Sequence, residues 1–307
     1  MPQKVKKKWR REHNTLLVMA APTIVYLILF CYIPMAGLIM AFQNMNITLG
    51  VFKSPFVGLR NFEFLFTSTD AFIITRNTVL YNLIFIVVNM VVSVCAALLL
   101  STLRSSLYAK TMQTIYMMPY FLSWAVVAIV VNAFLDRDNG LVNMIMERMG
   151  RKSTTNWYHQ TRIWPPLLVA VNAWKNVGYQ TVLYLAVISG ISTDYYEAAV
   201  LDGASNWQQA KYITIPHLRF IVGISIILAM SNIFRGDFGL FYNVPMNSGR
   251  LYPVTDVIDT YIYRCLTYLN NVGMSTAAGM YQSVVGLIMV LIVNWIITKI
   301  DPESAMF

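Results

Sequence analysis

The chain has 307 residues, of which 57% are hydrophobic and only 12% charged, with a formal net charge of +9. Soluble domains carry about 45–50% apolar and about 25% charged residues, so this chain has too little polar surface to cover a water-soluble globule, and lipid is the expected solvent for most of its length. The basic excess does not indicate nucleic acid. Lys4, Lys6, Lys7, Lys8, Arg10 and Arg11 crowd the N-terminus ahead of the first apolar run, the pattern of a cytoplasmic end.

Six stretches reach the ~20 helical residues that a hydrocarbon core requires: 15–42, 77–103, 112–134, 163–190, 220–242 and 278–299. The first is read as a retained helix. Cys31 follows the bulky Phe30, where lipoprotein cleavage needs a small residue, and the apolar run continues to about Phe42, too far for a signal peptide. Pro34, Pro119, Pro165, Pro166 and Pro216 are expected to mark helix ends or kinks. The three cysteines, Cys31, Cys95 and Cys265, form no CxxC or Cys/His cluster, so neither a metal nor a redox site is expected. The expected fold is an all-α integral membrane protein. Residues 1–14 form a basic cytoplasmic N-terminus, 15–299 a six-span transmembrane domain and 300–307 a cytoplasmic C-terminus.

With the N-terminus inside, segments 43–76, 135–162 and 243–277 face outward, while 104–111 and 191–219 face the cytoplasm. In the second outer segment Leu141, Val142, Ile145, Met146 and Met149 fall at helical spacing, with Gly150 as the C-cap. This predicts an amphipathic helix at the outer interface. A second periodic patch, Val257, Ile258, Tyr261 and Ile262, lies in the third. No internal repeat is visible, which weighs against the many secondary transporters built from repeats.

In the fourth stretch Asn172, Lys175, Asn176 and Tyr179 share one helical face. Lys175 lies about 18 Å from the outer end at 1.5 Å per residue, where an ionisable group costs roughly 2.5–3.5 kcal/mol against lipid. It is therefore expected to meet a water-filled pathway, a partner carbonyl or a counter-charge. Asn232 and Arg235 are expected on one face of the fifth stretch. These residues, with Trp174 and Tyr179 to stack on sugar rings, are the candidate translocation path. The competing reading is helix–helix hydrogen bonding, which is favoured for Asn82 with Asn89 and for Tyr116, Tyr120 and Trp124. Two cations without an equally deep carboxylate suggest a negatively charged sugar.

The inner segment 191–219 is too polar to span. Asp194 with Glu197 predicts one capped helix, and Ser205 with Gln208 a second. Gly203 is the hinge between them, and Pro216 is expected to end the second helix. Within it, Glu197-Ala198-Ala199, three residues, Gly203, nine residues and Ile213-Thr214-Ile215-Pro216 resemble the EAA signature of bacterial ABC-importer permeases, with Ile215 in place of leucine. Asp202 and Ala204 fit its fuller form. Residues 21–42, 57–66, 174–190 and 256–264 resemble the polysaccharide branch of the maltose-type permeases.

The resemblance implies a non-catalytic permease that imports oligosaccharides by alternating access. It implies a second permease subunit (a heterodimer), two cytoplasmic ATPase subunits that bind ATP and Mg, and an extracytoplasmic solute-binding protein. Glu197, Ala198, Ala199, Asp202, Gly203, Ala204, Ile213 and Pro216 would then form the ATPase-coupling element. No cofactor is expected in this chain, which lacks a GxxxxGK[ST] loop. His13, His159 and His217 lie outside the six stretches, and no GxSxG or HExxH is present, so an intramembrane enzyme is excluded.

Overall fold

A computed structural model describes residues 3–46, 48–103, 106–150 and 155–300, and the expected tail 301–307 lies outside them. The chain divides into two units, residues 1–64 with 264–280, and residues 65–263 with 281–307.

In the smaller unit α1, Gln3–Leu27, continues through a π turn (Ile28–Tyr32) and one α turn into a 3-10 stretch (Ala36–Phe42). Its apolar part, Thr15–Phe42, is long enough to cross a membrane. Side chains Leu16 to Leu38 stay largely exposed, as suits a helix that meets lipid or another subunit. Pro34 does not end it. The preceding π turn, with Ile33 N–H bonded to Ile28 O, absorbs the misfit that a proline ring makes with the turn before it. After α1, Asn61 Nδ2 donates to Ala41 O and Gln43 O at 2.9 and 2.8 Å. Gly273 packs directly against Asn61 and Gln43, leaving no room for a Cβ.

The larger unit is built on α2, Thr69–Ser101, with Ser68 as its N-cap. It starts eight residues before the expected 77, because the polar first turn is helical too. The stretch 112–134 is not one rod. It comprises α3, Ser106–Met117, a 3-10 turn, and α4, Trp124–Leu135, bent by 98°. Pro119 removes a helical donor, and Ser123 restarts the helix by accepting from Val126 N–H at 3.3 Å.

The amphipathic helix is α5, Leu141–Arg148, and Gly150 sits past its end at φ +78°. Its apolar stripe Leu141, Ile145 and Met149 faces outward, while Val142 turns toward the core. The buried Asn143 pins the inner side through Arg137 O, Thr155 O and the Trp157 indole N–H.

The helix α6, Trp164–Ser189, opens with Pro165 and Pro166 in its first turn, where their missing N–H groups are unneeded. It packs along α2, and Trp164, Leu168 and Val171 enter a core with Tyr81, Phe85 and Phe241. Two corrections follow. The first helix of the inner segment, α7, Thr193–Leu201, is capped by Ser192 rather than Asp194. The second does not stop at Pro216. It runs on as α8, Asn206–Met230, again through a π turn (Ala210–Thr214) just before the proline, where Ile215 N–H reaches Ala210 O. The helix expected over 220–242 therefore ends at Met230, and α9, Phe238–Asn243, is separate. Next come α10, Ile258–Thr267, and α11, Val272–Ile300.

Among the described residues four helices are long and apolar enough to cross a membrane: Thr15–Phe42, α2, α8 and Val272–Trp295. The bent pair α3–α4 would make a fifth. The helix α6 is as long but more polar, with Asn172, Lys175, Asn176 and Gln180 in its middle.

Candidate functional site

The segment 191–219 is defined by its own local chemistry. The helix α7 closes in a Schellman motif: Ala204 N–H bonds Ala199 O at 2.8 Å, and Gly203 N–H bonds Val200 O at 3.0 Å. Gly203 holds φ +76°, which β-carbon sterics disfavour for other residues. No atom would touch an added Cβ there, so only the backbone requires glycine. Two residues on, Ser205 and Gln208 complete the expected capping box, with Ser205 N–H to Gln208 Oε1 at 2.7 Å and Gln208 N–H to Ser205 Oγ at 3.4 Å.

Glu197, Ala198 and Asp202 are exposed, Ala199, Ala204 and Ile213 partly covered, and Pro216 exposed within α8. The sequence reading passed over the apolar surface beside them. Leu201 is 89% exposed, and Val200, Trp207 and Tyr212 are 60%, 69% and 67% exposed. On its other side Tyr196 Oη pairs with Thr214 Oγ1 at 2.9 Å.

Higher in the same unit a cavity of about 420 Å³ is lined by Asn82, Phe85, Asn89, Asn172, Asn176, Tyr179, Gln180, Asn232, Arg235 and Asp237. It gathers five of the seven expected pathway residues. Trp174 is half exposed and Lys175 buried, and neither lines it. Asn89 Nδ2 donates to Asn172 Oδ1 at 2.9 Å, Asn176 Nδ2 to Asn172 O at 3.0 Å, and Ser93 Oγ to Gln180 Oε1 at 3.3 Å. Asn89 Oδ1 is buried without a partner.

Asn232 and Arg235 do not share a helical face. Both stand in the break between α8 and α9, and they meet because the break folds over the cavity. Side chains from three helices hold its backbone. Asn82 Nδ2 donates to Ile233 O and Arg235 O at 2.8 and 3.0 Å. Gln282 Nε2 donates to Phe234 O and Asp259 Oδ2, both at 2.8 Å, and Gly236 N–H to Asp259 Oδ2 at 2.6 Å. Burial pushes the Asp259 carboxyl above the ordinary carboxylate range, and the Gly236 and Gln282 donors pull it back.

The expectation of two cations without an equally deep carboxylate does not hold. Asp237 lines the same cavity as Arg235. It caps α9 through Leu240 N–H at 3.2 Å, close to Gly239 on which the Trp124 ring packs, and interacts electrostatically with Lys175. Asp237 was in plain sight in the sequence, but it was counted into the fifth span. The Asp-Phe-Gly stretch at 237–239 could have flagged a helix start. Lys175 finds the partner carbonyls that were one of its three expected surroundings, at Tyr120 and Leu122.

The chain is similar to known proteins in family, sequence and fold. Residues 90–302 match the family described as binding-protein-dependent transport system inner membrane component. Over 293 residues the chain is 31% identical to the polygalacturonan/rhamnogalacturonan transport system permease protein YteP of Bacillus subtilis (strain 168), covering 95% of this chain and 90% of that one. Over 299 residues it is 31% identical to protein LplB of the same organism, covering 96% and 92%. Among solved structures, a subunit of a bacterial ABC transporter involved in the import of the acidic polysaccharide alginate superposes with a TM-score of 0.85 at 30% identity, covering 97% of this chain and 99% of that one.

Proposed function

Because the chain belongs to the family of binding-protein-dependent transport system inner membrane components, we propose that it is a permease subunit of an ATP-driven importer of oligosaccharides, acidic ones foremost. The observation that carries this is the asparagine-rich cavity, with Tyr179 and Arg235 on its wall, inside a chain of membrane helices. Amides donate to and accept from sugar hydroxyls, an aromatic face stacks on a pyranose ring, and a guanidinium matches a carboxylate. Asp237 balances the cavity's charge, but its carboxylate already caps α9 through Leu240 N–H, whereas Arg235 is exposed. The relatives named for polygalacturonan/rhamnogalacturonan and for acidic alginate support the same substrate class.

Six crossings follow if α3–α4 and α6 are added to the four apolar helices, with both termini in the cytoplasm. The turn at Gly203 then projects inward. Leu201 and Trp207 form the apolar knob that enters an ATPase subunit, with Glu197, Ala198, Ala199, Asp202 and Ala204 around it. A second, different permease subunit, two ATPases holding ATP and Mg, and an extracytoplasmic solute-binding protein complete the assembly. The chain itself performs no hydrolysis. It binds and releases the sugar as the two sides of the membrane alternate in access.

The test is ATP hydrolysis by the reconstituted complex, with and without binding protein, across neutral and acidic oligosaccharides. Acidic glycans should stimulate hydrolysis, and Arg235→Ala should weaken their uptake about tenfold, the size of one charge-assisted contact. Stimulation by some other solute and by no glycan keeps the permease and sinks the sugar.

A further inference from the structure

Lys175 is 8% exposed, and its ammonium is turned to the broken end of α3. It lies 2.6 Å from Leu122 O, 2.7 Å from Tyr120 O and 3.5 Å from Pro119 O. Pro119 O also accepts from Leu122 N–H at 3.2 Å, while Tyr120 O and Leu122 O stand where a helix end leaves carbonyls without intrahelical donors, and an ammonium, with three donors and no acceptor, suits them. The same nitrogen stands 5.2 Å from the Trp124 ring, which opens α4, and 5.6 Å from the Tyr120 ring. One cation thus ties both arms of the 98° elbow. One turn along α6, a Cβ on Gly178 would lie 1.8 Å from Tyr116 O, so the backbone of α3 presses on α6 at a second point.

The elbow in turn forms part of the cavity surroundings. Tyr120 stacks on the cavity residue Tyr179 at 4.8 Å, and the Trp124 ring packs on Gly239, two residues after the cavity residue Asp237. In the other direction α6 runs from Lys175 to Ser189, roughly 21 Å at helical rise, and α7 starts at Thr193.

We infer that Lys175 is a positioning residue for transport: it fastens the α3–α4 elbow to α6, so that displacement of α7 is carried to the cavity wall. This rests on the reading of α7 as the ATPase-coupling helix. Without the ammonium, α6 can shift while the elbow stays, and hydrolysis proceeds without moving sugar.

The experiment compares wild type, Lys175→Met and Lys175→Arg in the full complex in proteoliposomes, with alginate or polygalacturonate oligosaccharides as probes. Binding-protein-stimulated ATP hydrolysis and uptake are both read per assembled complex. Lys175→Met should hydrolyse ATP while uptake per ATP falls about fivefold or more, the lower range of allosteric couplings. Lys175→Arg, which keeps the donors, should restore much of the ratio. An unchanged ratio overturns the inference, and so does a proportionate fall of both activities. If Lys175→Met does not assemble, Lys175→Gln carries the same readout, and failure of both to assemble makes Lys175 a folding residue only and overturns it. A wild-type complex unstimulated by any probe instead sinks the importer reading, and the inference with it.

Discussion

Asn89 and Asn172 show how a polar residue is used at the scale of a single side chain. Both are buried, and their bond of 2.9 Å joins α2 to α6 beside the cavity. Interhelical bonds of this kind average about 0.6 kcal/mol in membranes. Replacing Asn89 and Asn172 by alanine, singly and together, should give a coupling of that order in thermal unfolding of the assembled complex. A coupling near zero would leave the pair as cavity lining alone. Asp259 offers a pH test. Its carboxyl is raised above the ordinary range by burial, so folding favours the protonated form. The stability it contributes is full below the ordinary carboxylate pKa and is lost as pH rises through the raised value. As pH rises from the ordinary carboxylate range the wild-type Tm should therefore fall relative to Asp259→Asn, and parallel curves would contradict the assignment. Gly203 is tested by Gly203→Ala, which has space but the wrong φ and costs about 1–2 kcal/mol. Binding-protein-stimulated hydrolysis should drop while the assembled complex is still recovered.

At the level of elements, the glycines separate tight crossings from open ones. Gly178→Ala drives a methyl into the Tyr116 carbonyl, and Gly239→Ala drives one into the Trp124 ring. Each should cost about 1–3 kcal/mol or more and lower the recovery of folded complex, measured by size-exclusion in detergent. Gly223→Ala on α8 meets nothing within 4 Å. It should be neutral or stabilising by up to about 1 kcal/mol, the helix-propensity difference, and an equal loss at all three would refute the packing argument. Elements also show what a sequence can reveal. The turn at Gly203 and the box of Ser205 and Gln208 were legible because every atom involved lies within a few residues. The break after Pro119 was not, since a proline can end, kink or merely enter a helix. Here the choice depends on Lys175, more than fifty residues away in the chain. Pro34 and Pro216 went the other way, because a π turn before each lets the helix continue.

For the whole molecule, the all-helical class and the helix-turn-helix around Gly203 could be read directly, the stretches 112–134 and 220–242 proved broken, and the cavity could be read only in part. Asn172, Asn176 and Tyr179 declared themselves by helical spacing, but Asn232, Arg235 and Asp237 join them through a non-helical break that no periodicity encodes. The same break explains why the sequence overstated the cationic character of the path: Lys175 faces carbonyls, and Asp237 lies beside Arg235 in the cavity. Charge balance at the cavity bears on the energy source. Ion-coupled carriers place titrating groups at the midplane. In this chain Asp237 serves as a helix cap and Lys175 as a backbone clamp, so the ionisable groups hold structure. The chain has no phosphate-binding loop of its own, whereas the Leu201 and Trp207 surface stands open for a partner. Uptake into vesicles should therefore continue under a protonophore while ATP is supplied, and cease when the ATPase subunits are omitted. Leu201→Asp, which places a charge on the most exposed apolar residue of that surface, should release the ATPase on size-exclusion and abolish uptake with the cavity untouched. Uptake that collapses with the proton gradient at constant ATP would reverse the assignment, since the only remaining driver would then act on the groups that hold the break and the elbow.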